Sequence, residues 1–211
     1  MGNRSDRRRA ALESLKERHQ RRMEKYRKQY EQRREFYRLL KENASDILHS
    51  ENFQKTRHHI QHGTMPVHRH CLDVAKQSIK INKALGLGCK ERDLIRGALL
   101  HDYFLYDWHE ADKSHRFHGF IHAGRALLNA EKDFELSDIE RNMIKSHMFP
   151  LNPVLPRYRE SVILCVADKI CAARETGSGV YGKARRTACR TASAAASKMA
   201  AVFPPPSYKS K

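Results

Sequence analysis

The strongest constraint on this chain is a periodicity. From about residue 43 to residue 175, apolar side chains recur every three or four positions in segment after segment. In "CLDVAKQSIKINKAL", Leu72, Val74, Ala75, Ile79 and Ile81 bracket one apolar face. The same spacing recurs in "ERDLIRGALLHDY", "HAGRALLNAEKDF", "LSDIERNMIKSHM" and "RESVILCVADKICAARE". That period belongs to amphipathic helices, and no stretch shows the sustained alternation of a strand. Gly86 and Gly88 break the first helix from the second, and Ser137 with Glu140 three residues on has the form of a capping box. Three prolines make "FPLNPVLPRY" a loop. The fold class is all-α.

The ends differ from this body. Residues 1–40 hold 14 Lys/Arg against 6 Asp/Glu, a net of +8, and residues 172–211 hold 8 against 1, a net of +7. Of the total of +17, only 17 − 15 = +2 is left for the middle. The division expected is a basic helical extension over 1–44, a central domain over 45–176, and an Ala/Ser-rich basic appendage over 177–211 with a mobile, partly disordered tail. In the extension, His19, Met23, Tyr26, Tyr30, Arg33, Tyr37 and Leu40 step by fours and threes. Two readings stand: a solvated helix lying against the body through its aromatics, or a basic arm for RNA or another polyanion. No run of about 18 apolar residues exists, so no membrane partner is expected. Five scattered cysteines read as reduced thiols in a cytoplasmic protein.

Metal-competent side chains interrupt the apolar helices at His70, at His101-Asp102, at His118 and His122, and at Asp168. Asp168 lies among Leu164, Val166, Ala167 and Ile170, which predicts a helix buried on most sides. An ionised carboxylate there costs several kcal/mol unless a cation compensates it. That cation can be a basic side chain as well as a metal. Likewise His101 can satisfy helix-terminal carbonyls and Asp102 can cap a turn. Taken together, a histidine at a helix start, a His-Asp pair at a helix end and an aspartate in a later helix supply the three or four nitrogen and oxygen donors that an open Zn, Mn, Fe or Co site needs.

In this order the chain resembles the HD superfamily of metal-dependent phosphohydrolases, whose pattern is H…HD…D on a helical bundle. "HRHCLDVAKQSI" resembles the first ligand helix, "GALLHDYFLYDWH" the central pair and "ILCVADKICAARE" the final aspartate helix. His118-Gly119-Phe120 with His122, and "SHMFPL" around His147, are similar to segments of small bacterial HD proteins. The resemblance covers roughly residues 50–175. It implies an HD-domain bundle in which His70, His101, Asp102 and Asp168 hold a divalent ion (Mn, Fe, Co, Ni or Zn), with His68 as a competitor for the first position. It further implies that His118, His122, His147 and Lys169 bind a second metal or the substrate phosphate, giving one or two ions per chain. The alternative for the histidines is that they support the site by hydrogen bonds.

The reaction implied is hydrolysis of a phosphoester, on a nucleotide or another phosphorylated small molecule, by metal-activated water. Asp102 and His122 take the catalytic part. Lys169, Arg116, Lys113 or His115 would neutralise phosphate charge. Three other classes remain: a di-iron oxygenase of HD type, a metal- or nucleotide-binding signalling module without turnover, and an RNA-associated adaptor that works through its basic ends.

Overall fold

The computed structural model describes residues 4–62, 65–105 and 118–177. Lys113, His115, Arg116 and the expected appendage from 178 onward lie outside the described residues, as do the side chain of His118 and Cys189. Among the described residues seven helices run in chain order: α1 (Arg4–His49), α2 (Glu51–Lys55), α3 (Val67–Leu85), α4 (Glu91–Leu100), α5 (His118–Asp133), α6 (Asp138–Ser146) and α7 (159–177). Between α2 and α3 lies a small antiparallel pair, β1 (Ile60–His62) and β2 (Met65–Pro66). Strands of three and two residues are too short to write an alternating pattern into the sequence. The all-α class holds.

The boundaries follow the local chemistry. Gly86 closes α3 at φ 60°, the left-handed conformation that ends helices and that a side chain disfavours. Ser137 opens α6 with both halves of the capping box in place.

The core is organised around α4. Every residue from Asp93 to Leu100 is buried, because α1, α3 and α6 pack around it. Gly97 sets how closely α6 approaches: a Cβ there would stand 2.6 Å from Sδ and Cε of Met143. The most deeply buried charge of this helix, Arg96, is 2% exposed and fully engaged. It donates to Glu140 (2.9 Å), to both oxygens of Asp46 (2.6 and 2.7 Å) and to the Glu135 carbonyl (3.2 Å). This ties α1, α4 and α6 together just before α4 reaches His101.

One helix departs from the sequence expectations, and another keeps to them except at one residue. In α1, Phe36, Leu39, Leu40 and Ile47 join the core, but Met23, Tyr26, Tyr30 and Tyr37 are more than half exposed. The aromatic stripe therefore does not lie against the body. Of that stripe only Leu40 reaches the core, and the face turned inward begins at Phe36. Within α1 the helical conformation is broken once, at Ala44 (φ −144°, ψ 30°), ahead of the last turn. In α7, Leu164, Ala167, Asp168 and Cys171 face inward, whereas Val162, Val166 and Lys169 form an exposed stripe at i, i+4, i+7. The helix is thus buried over most of its circumference, as expected, and only Val166 of the residues around Asp168 named in the sequence lies on the open stripe. Among the described residues no helix is long and apolar enough to cross a membrane, and Cys71, Cys89, Cys165 and Cys171 are buried free thiols.

Candidate metal centre

Five helices deliver polar side chains to one buried place. His70 comes from the first turn of α3, His101 and Asp102 from the residues just past α4, and His122 from α5. His147 follows the last residue of α6, and Asp168 projects from α7. All six are buried.

His101 and His147 are held in the same way. Each caps the C-terminus of its helix and turns Nδ1 back on the carbonyl three residues earlier, Ala98 at 2.8 Å and Ile144 at 2.7 Å. A carbonyl only accepts, so each Nδ1 carries the proton and Nε2 is directed into the cluster. The negative ends of both helix dipoles point at the same place, which favours a cation there.

Asp102 lies between two sets of imidazoles. Its Oδ2 is 3.2 Å from His101 Nε2 and 3.7 Å from His70 Nε2. Its Oδ1 is 3.4 Å from His122 Nε2 and 3.5 Å from His147 Nε2. Asp168 Oδ1 closes the first set, 3.1 Å from His70 Nε2 and 3.7 Å from His101 Nε2. In the second set the two Nε2 atoms are 2.9 Å apart. Two groups of potential ligand atoms result, each mutually within 4.8 Å: His70, His101 and Asp102, and then Asp102, His122 and His147.

Without a cation this arrangement is electrostatically costly. Burial pushes the His70 imidazolium toward losing its proton, yet the hydrogen bonds to Asp168 and Glu175 outweigh burial and raise its pKa to about 10. For His101, burial acts downward and the Asp102 charge overrides it, lifting the pKa well above the ordinary value. Burial would raise both carboxyls, but the His101 charge holds Asp102 well below the carboxylate range, and the neighbouring His101 and His70 imidazoles do the same for Asp168. The anionic cluster draws in protons because it needs positive charge. His147 goes the other way: burial and the neighbouring His101 charge lower it to about 3, so it stays neutral with a lone pair on Nε2.

The residues fit a divalent cation. His101 Nε2 is buried with no hydrogen-bond partner, because the nearby Asp102 oxygen lies off its axis. Four imidazoles with two carboxylates form a borderline nitrogen and oxygen donor set, suited to Zn, Mn, Fe, Co or Ni. A bound ion would satisfy that nitrogen and replace the imidazolium protons.

Of the residues singled out in the sequence, His70, His101, Asp102, Asp168, His122 and His147 come together. His68 does not: its ring lies against Phe53, 5.2 Å between centroids, and burial lowers its pKa to about 4. Lys169 is adjacent, its Nζ donating to the carbonyls of His147 and Cys165, both at 3.3 Å. His118 opens α5, but its side chain lies outside the described residues. The sequence reading missed Glu175, whose two oxygens are each 3.0 Å from His70 Nδ1. Accepting that proton fixes the ring and leaves Nε2 to the cluster, the role a carboxylate plays behind a metal-ligating histidine. The signal was present: Glu175 is seven residues after Asp168, on the same face of α7.

A helical bundle with a buried imidazole–carboxylate cluster able to hold divalent ions defines the class of protein. The HD domain family matches residues 67–173, half of the chain, spanning α3 to α7 and all six clustered side chains. The chain belongs to this family, within the HD superfamily of metal-dependent phosphohydrolases. No curated protein and no solved structure matches it.

Proposed function

We propose that this protein is a metal-dependent phosphohydrolase that cleaves a phosphoester of a nucleotide or a related phosphorylated small molecule, with one or two divalent ions bound at the cluster. The observation that carries this reading is Asp102, whose two oxygens face two different sets of histidines. His70, His101, Asp102 and Asp168 would hold the first ion, and His122 and His147, sharing Asp102, a second. A divalent ion there supplies Lewis acidity, polarising a phosphoryl oxygen and lowering the pKa of water.

The chain's own residues do the rest. Asp102 stays ionised and orients the attacking water by accepting its hydrogen bond. Glu175 holds His70 by its Nδ1–H, and the helix-end carbonyls hold His101 and His147 by theirs. With a single ion in the first set, His122 Nε2 carries the proton that passes to the leaving oxygen. With two ions it becomes a ligand. Lys169, tethered over His147, adds positive charge beside the phosphate.

The test is a panel of phosphomonoesters and phosphodiesters, assayed with chelated protein reloaded with Mn, Co, Ni, Zn, Fe or Mg. Metal-dependent turnover that Asp102→Asn abolishes is expected. Metal bound at the cluster with no turnover on any ester would overturn the catalytic reading in favour of a non-catalytic module. A second reading draws on the same two-sided Asp102: two irons serving oxygen chemistry. Oxygen consumption by iron-loaded protein, with no ester cleavage, would favour it.

A further inference from the structure

The metal centre leaves α1 unexplained. Every described side chain from Arg8 to Arg34 is exposed, so about 40 Å of helix extends along no other part of the described chain. A helix gains most of its stability by burying an apolar face, and this one keeps its face open. Leu12, Leu15, Met23, Tyr26, Tyr30 and Tyr37 are 52–68% exposed.

The charges on this helix are sorted. At about 100° per residue, Arg22, Tyr26, Tyr30, Arg33 and Tyr37 fall within about 40° of one line. Lys16, Lys25, Arg27 and Arg34 flank that line on both sides. Glu13, Glu17, Glu24, Glu31 and Glu35 all fall on the opposite side, about 140–180° away. Some of them pair there with neighbouring arginines, as in Arg21–Glu17 (3.9 Å) and Arg27–Glu31 (3.7 Å). The tyrosine face is therefore purely basic. Its rings already accept guanidinium groups, Arg22 over Tyr26 and Arg33 over Tyr37, each at 5.6 Å.

These features select the occupant. A second copy docked through this face would set Arg22 and Arg33 in the seam, with Arg27 and Arg34 along its edges, opposite their own like charges. A polyanion meets complementary charge instead. Exposed tyrosines interleaved with arginines suit a strand whose bases are unpaired and able to stack. We infer that the Tyr26–Tyr30–Tyr37 face of α1 is a binding surface for single-stranded nucleic acid, with its arginines and lysines on phosphates and its tyrosine rings against bases. The surface is independent of the metal centre and of the proposed hydrolysis.

The test uses the full chain and labelled 20-nucleotide single strands of RNA and of DNA, with the matching duplex, read by fluorescence anisotropy between 50 and 200 mM salt. Engaging about six of the face's cations gives a slope of log affinity against log salt of about −4. Single strands bind more tightly than the duplex, and the RNA and DNA arms show whether the sugar matters. Tyr26→Ala/Tyr30→Ala/Tyr37→Ala weakens single-strand binding at least tenfold and leaves the slope unchanged. Arg22→Gln/Arg33→Gln lowers the slope by about 1.4. All five side chains are exposed, so melting temperature and metal content serve as controls that should not move. Three results would overturn the inference: a tyrosine variant that binds as tightly as the parent, a duplex bound as well as the single strand, or a concentration-dependent dimer that the tyrosine variant abolishes.

Discussion

Removing metal should make stability fall as pH rises above neutrality. In the metal-free fold the His70 pKa is raised to about 10, against about 6.5 for an unfolded histidine. A raised folded pKa stabilises the fold fully below the unfolded value, and that contribution is lost as pH climbs toward the folded value. Between pH 7 and 8.5 the folded state keeps a proton that the unfolded state has released. Stability then falls by about 1.4 kcal/mol per pH unit, about 2 kcal/mol over the window. His101 is displaced in the same direction and adds to the loss. Asp102 and Asp168 titrate far below this range, and His147 (about 3) and His68 (about 4) are neutral throughout it. In a chain of this size 1 kcal/mol corresponds to about 2–4 °C, so His70 alone should cost chelated protein about 4–8 °C of melting temperature from pH 7 to 8.5, with His101 adding to it. Metal-loaded protein carries no such proton and should be nearly level over the same window. Calorimetry on paired samples, one in chelator and one in excess metal, reads the difference directly. Parallel curves, or chelated protein that gains stability with pH, would refute the reasoning.

Other substitutions test the supports of the site. Arg96→Met leaves the fully buried Glu140 carboxylate without its main partner and should cost about 3–5 kcal/mol, or about 6–20 °C in a thermal melt. Burial already raises the Glu140 pKa, so this penalty should shrink at pH 5, and adding Glu140→Gln should recover part of it. Gly97→Ala gains about 1 kcal/mol of helix propensity but drives a Cβ to 2.6 Å from the buried Met143 side chain; overpacking at about 1–3 kcal/mol makes the net effect destabilising, and Met143→Val should relieve it. Glu175→Ala should weaken the pH-corrected metal affinity about 10- to 100-fold in chelator competition, and Glu175→Gln, which keeps an acceptor for the His70 Nδ1–H, should lose less.

Much of this arrangement was legible in the sequence, and the reasons differ by element. The helices carry their period openly, and Gly86, Ser137 and Glu140 mark their ends through local chemistry alone. His101-Asp102 after an unbroken apolar run was visible because nothing in helix packing calls for that pair there. Choosing His70 over His68 took more than spacing, since the two differ by about 200° around α3, and only the fold shows which side faces α7. Glu175 was missed because a glutamate at a helix end looks like solvent-facing charge. Only the distance to His70, 105 positions away in sequence, gives it a purpose. Packing was one of the two readings of the tyrosine face of α1, because aromatic residues at helical spacing usually pack. Its exposure is a tertiary fact: the body meets the helix through Phe36, Leu39 and Leu40 instead.

The central claim is that four imidazoles and two carboxylates around Asp102 gather divalent metal. Anomalous diffraction from crystals grown with Mn or Zn measures this most directly. The account predicts a peak about 2.0–2.2 Å from His70 Nε2, His101 Nε2 and an Asp102 oxygen, with any second peak on the His122 and His147 side. Metal found elsewhere, or a cluster that holds none at saturating concentration, would contradict it.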